Sequence, residues 1–143
     1  MKKVFLLAIA AGCFAFVANA QTIASARVPA ASKAAFAKAH PNVKHIAWET
    51  ENGNFEGNWK AGGLDHSAMY TPDGKFAGSE TDINPAKLPL KVREYMVKHY
   101  HVRVKEASVN EDANHVKSYE ADANGKAYLF DMQGNFLKVG EDD

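Results

Sequence analysis

Cysteine is almost missing: Cys13 is the one thiol in 143 residues. No intrachain disulfide can brace the fold, and no thiol nucleophile is available once the first stretch is set aside. An excess of either charge is missing too. The 17 Lys and Arg side chains balance 17 Asp and Glu, so nothing electrostatic argues for nucleic acid or an anionic membrane as partner. Catalytic signatures are also lacking. None of Ser25, Ser32, Ser67, Ser79, Ser108 or Ser118 sits in a G-x-S-x-G elbow, no H-E-x-x-H occurs, and Asp73, Gly74 and Asp82 lack calcium-loop spacing.

No apolar run is long enough for a comfortable membrane span. Val4 to Val17 falls short of one, follows the basic Met1-Lys2-Lys3 and precedes Ala18-Asn19-Ala20. This is the pattern of a signal peptide over residues 1–20, cleaved after Ala20 and before Gln21. Ala10-Ala11-Gly12-Cys13 is the alternative, a loose lipobox that would leave Cys13 lipidated. Uninterrupted continuation through Phe14, Phe16 and Val17 favours ordinary cleavage. Losing Lys2 and Lys3 leaves 15 basic against 17 acidic side chains, a net charge of −2. The mature chain is thus expected in the periplasm or outside the cell, without an integral membrane span.

With 46% hydrophobic and 24% charged residues, the remainder has the composition of one globular domain. Residues 21–27 are small and read as a flexible terminus. Val28-Pro29 opens a helix carrying Ala31, Ala35, Phe36 and Ala39, which Pro41 stops. The period then shifts to two. Ile46, Trp48 and Thr50 alternate with His45, Ala47 and Glu49, Asn52-Gly53 marks a hairpin, and Phe55, Gly57, Trp59 and Ala61 share one face of the next strand. Two more strands follow, across Gly62-Gly63 and Pro72-Asp73-Gly74. Leu88-Pro89 starts a second helix, striped by Leu88, Val92, Tyr95, Met96 and His99. Four further strands lie in 102–139.

An offset of 60 aligns Pro29 with Pro89, Trp59 with Tyr119, Tyr70 with Phe130, Gly74 with Gly134 and Phe76 with Phe136. The expectation is an α+β domain over 28–143 made of two tandem pseudo-symmetric repeats, 28–83 and 88–143. Each would be one helix followed by a four-stranded antiparallel meander, the helices packed on one sheet face. Whether the strands form one sheet or two is left open by the spacing.

No catalytic residue and no cofactor is expected. His99 and His101, with His40 at the first helix end, are the metal candidates, but no third ligand follows at zinc spacing. Carboxylates such as Glu49, Glu51, Glu56 and Asp65 read as solubilising groups on a solvated sheet face. The strand aromatics are the better binding candidates: Trp48, Trp59, Tyr119 and Tyr128 are proposed, with neighbouring charges, as anchors on an exposed sheet face, although strand aromatics also build cores. The function expected is exported, non-enzymatic binding of an envelope protein or peptide, possible also as regulation or inhibition of that partner, by a monomer or weakly associating dimer. A periplasmic small-ligand or metal sensor is the alternative.

Val28-Pro29 opening a helix, Phe36 with His40-Pro41, Ile46-x-Trp48-Glu49, the Phe55-to-Trp59 strand and the Tyr70-to-Phe76 turn together resemble the PepSY-like, beta-lactamase-inhibitor-like proteins. The resemblance spans nearly all of the mature chain and rests on structural motifs. It implies a small secreted or periplasmic protein, typical of Bacteroidetes-type bacteria, with a role in inhibition, sensing or ligand binding. Beta-lactamase inhibitor proteins carry disulfides, which this chain lacks after cleavage.

Overall fold

The computed structural model describes residues 21–141. The signal-peptide reading, with Ala20 and Cys13, lies outside the described residues. The order of elements is β1 (Gln21–Ile23), α1 (Ala30–Ala39), β2 (Ala47–Glu51), β3 (Asn54–Ala61), β4 (Leu64–Tyr70), β5 (Phe76–Ile83), α2 (Leu90–Tyr100), β6 (Glu106–Asp112), β7 (Lys117–Ala123), β8 (Lys126–Asp131) and β9 (Phe136–Glu141). One-turn 3₁₀ helices at Ser25–Arg27 and Pro85–Lys87 precede α1 and α2.

The strands form one nine-stranded antiparallel sheet in the order β1 to β9. This overturns the expected α+β pair of tandem pseudo-symmetric repeats over 28–83 and 88–143. The protein is predominantly β, with two short helices of 10 and 11 residues rather than two helix-plus-meander repeats. The physical reason lies in edges and turns. Separate meanders would each leave two strand edges unpaired, whereas one continuous sheet leaves only two in all. The sequence matches at Gly74 and Gly134 reflect a shared turn requirement, since both adopt positive φ, 82° and 78°. Gln21–Ile23, expected to be flexible, pairs with β2, Gln21 opposite Thr50 and Ile23 opposite Trp48.

By packing, the described residues divide into two compact units, 21–79 and 80–141. In the first, Val28, Phe36, Trp48, Ala68 and Tyr70 form the core. Trp48, Gly57 and Ala68 stand side by side on β2, β3 and β4, and Phe36 comes down from α1 onto this row. A Cβ at Gly57 would lie 2.7 Å from the Phe36 ring, so glycine makes the floor of the slot. Ser32, also buried, donates a 2.9 Å hydrogen bond to the Thr71 carbonyl and so ties α1 to the turn after β4.

In the second unit, Val92 and Met96 of α2 are fully buried against Ala107, Ala121, Ala123, Tyr128 and Phe130. Ala107, Ala121 and Tyr128 are aligned across β6, β7 and β8. Alanines there admit a helix carrying two apolar side chains, one short and branched and one long. Tyr95, Tyr100 and Phe136 pack around this core, with Tyr95 and Phe136 stacked at 5.1 Å.

Candidate functional site

Because side chains alternate along a strand, the residues between the core positions lie on the face without helices. In 21–79 that face carries Glu49, Glu51, Glu56, Asn58, Ser67 and Met69. The hairpin register sets Glu49 directly opposite Glu56 and Glu56 opposite Met69, with Asn58 opposite Ser67. Two carboxylates facing each other across a strand pair repel. Glu56 is only 2% exposed. Burial pushes its carboxyl above the ordinary glutamate range, hydrogen bonds from Ser67 and Asn58 oppose that shift, and Glu49 adds to it.

The corresponding face of 80–141 has its own set. Ser108, Glu120 and Leu129 are aligned across three strands, as are Glu106, Asp122 and Ala127. Ser108 donates to Asn110 Oδ1 at 3.0 Å, and the Asn110 amide donates to Glu120 Oε2 at 2.6 Å. Ser108, Glu120, Asp122 and Leu129 are all buried. Of the strand carboxylates expected to be solvated, Glu51 and Glu56 are buried and Glu49 is half-buried, whereas Asp65 is exposed as expected.

The four aromatic candidates sit on the helix side instead. Trp48 and Tyr128 are buried in the two cores, and Trp59 and Tyr119 pack against those cores half-buried. Their spacing is the apolar alternation itself, which is why they fall beneath the helices. The three histidines expected as metal candidates are not gathered. His99 is exposed and stacked on Tyr95 at 4.1 Å, His101 caps α2 in the left-handed region at φ 55°, and His40 belongs to the other unit. Among the described residues no group of three or more His, Cys, Asp or Glu could hold a metal ion. Among the same residues no helix is long and apolar enough to cross a membrane.

No family model matches the chain, and no curated protein matches it in sequence. Solved structures do match. A BLIP-like protein from Bacteroides fragilis aligns with a TM-score of 0.66 and 22% identity over 79% of this chain and 86% of that one. A DUF2874 family protein from Bacteroides ovatus gives 0.68 and 17%, covering 79% and 86%. A Bacteroides eggerthii structure, described as that of a "putative periplasmic" protein, gives 0.67 and 18%, covering 80% and 88%. The chain has a BLIP-like fold. At these identities the likeness concerns the fold, and none of the three structures is described as PepSY.

Within the BLIP-like fold, two of the residues that sequence reasoning assigned to solubility, Glu49 and Glu56, meet across the strands. A signal for them existed. Asn52-Gly53 is a two-residue turn, so counting outward pairs Glu51 with Asn54 and then Glu49 with Glu56, as the structure has them.

Proposed function

We propose that this protein is an exported, non-enzymatic binding protein whose helix-free sheet face recognises a cationic stretch of an envelope protein or peptide, and regulates or inhibits that partner. The observation that carries the reading is the Glu49–Glu56 opposition on the helix-free face of 21–79. Side chains of like charge held opposite one another, one of them buried, cost stability in the free protein, and a Lys or Arg brought by a partner relieves that cost. Glu49 and Asn58 are the half-buried, reachable members of this patch, and the buried Ser67 and Met69 back them. The BLIP-like fold, the resemblance of the sequence to PepSY-like proteins and the signal-peptide pattern of residues 1–20 support an envelope setting.

The test is affinity capture from an envelope extract, comparing the protein with its Glu49→Gln/Glu56→Gln double variant. Wild-type protein is expected to retain a basic partner that elutes with salt, and the double variant to lose at least ten-fold of it. Equal recovery by both proteins overturns the reading.

A further inference from the structure

Gly62-Gly63 is another two-residue turn, and its register places Trp59 of β3 directly opposite His66 of β4. The two rings are stacked, 5.3 Å between centroids and 12° between planes. From the helix side, His40, the residue that ends α1, approaches the same indole at 4.5 Å, and Phe36 meets it edge-on at 5.2 Å. The His40 backbone N–H donates to the Phe36 carbonyl at 2.8 Å. One indole therefore carries two imidazoles, one from the sheet and one from the last turn of the helix.

We propose that the His40–Trp59–His66 stack is a proton-responsive latch, which seats the C-terminal end of α1 on β3 while His40 is neutral and releases it when both imidazoles are charged.

A single imidazolium on an indole face is attracted by the ring. The His66 Nε2 lies 3.2 Å from the Ala61 carbonyl, and both ring nitrogens of an imidazolium donate, so a charged His66 keeps that bond. A second cation at His40 is half-buried and repelled by the first. Burial chiefly, and then His66, holds the His40 imidazole below the ordinary histidine range. The charged groups next to the stack along the chain are Lys38 on α1, Lys44 and His45 after it, and Lys60 with Asp65. Those last two pair with each other at 2.7 Å, and alternation turns them to the opposite face from Trp59 and His66.

The sign follows from linkage. With its folded value depressed, His40 contributes stability that is present above the ordinary imidazole value of about 6.5 and is lost as pH falls through the lower folded value. The state with α1 undocked binds the proton more readily, so acid favours it. The other helix lacks this arrangement: His99 is exposed and stacked on Tyr95, and His101, its cap, is exposed too.

Amide hydrogen exchange of the purified protein, corrected for intrinsic chemistry, is the test. Between pH 7.5 and 5.5 the His40 amide should lose at least five-fold in protection relative to the equivalent α2 amide, His101, which donates to Val97. His40→Gln should abolish that change, and His66→Gln, which removes the repelling charge, should shrink it. A ratio unchanged by pH, or the same change in both variants, overturns the proposal. Should a variant fail to fold, imidazole titration by NMR in the unaltered protein decides: His40 must titrate below the ordinary histidine value of about 6.5, and a midpoint at or above it overturns the proposal.

Discussion

The two helices are seated by different means. α1 rests on one aromatic ring, Phe36, pressed into a slot floored by Gly57, with Ser32 hydrogen-bonded beneath it. α2 rests on two aliphatic side chains, Val92 and Met96, spread over a bed of alanines. A single large anchor concentrates the packing energy and also its vulnerability. Two smaller anchors share it, so either can be lost with the other still in place.

The largest effect that would break this comparison is truncation of the anchors. Phe36→Ala should cost ~3–5 kcal/mol and Met96→Ala a value in the lower part of ~2–5 kcal/mol, read as shifts in the urea midpoint. Equal costs would mean that the two seats are energetically alike. Filling the slot from below comes next. Gly57→Ala places a methyl 2.7 Å from the Phe36 ring, a clash of about 1–3 kcal/mol that Phe36→Leu should partly relieve in the double variant.

The smallest effect concerns charge on the other face of the same unit. Glu56 has its folded value raised, so the favourable, protonated state is complete below its ordinary unfolded value and is lost as pH rises through the folded one. Glu56→Gln should therefore stabilise the protein at pH 7 by ~0.2–1 kcal/mol, the range for a like-charged cross-strand pair. At pH 4 the gain should vanish. Denaturant titrations at the two pH values give the answer, and a gain of the same size at both would remove the electrostatic explanation.

Much of the local structure is legible in the sequence because it is dictated locally. Proline at 29 and 89 and the apolar stripes announce the helices, and Asn52-Gly53 and Gly62-Gly63 fix hairpin registers. The fold as a whole was harder to read because pairing between strands is a non-local matter. An offset of 60 registers common turns and core positions, which any long antiparallel meander reuses, and so it suggested repeats where the structure has one nine-stranded sheet. The candidate site shows the same limit. Trp48 and Tyr128 catch the eye as anchors, yet aromatic alternation marks the side that a helix will cover. The opposite side is marked by Glu49 and Glu56, whose significance appears only when the hairpin is folded and the two carboxylates meet.

Every strand in this sheet neighbours the strand before it and the strand after it in sequence. The hairpin pairings close short loops at small entropic cost, and only β1 with β2 and β5 with β6 are joined across a helix. A chain delivered end-first can then assemble in the order in which it arrives. Each new hairpin adds to an edge already laid down, and β9, the last to emerge, completes the sheet.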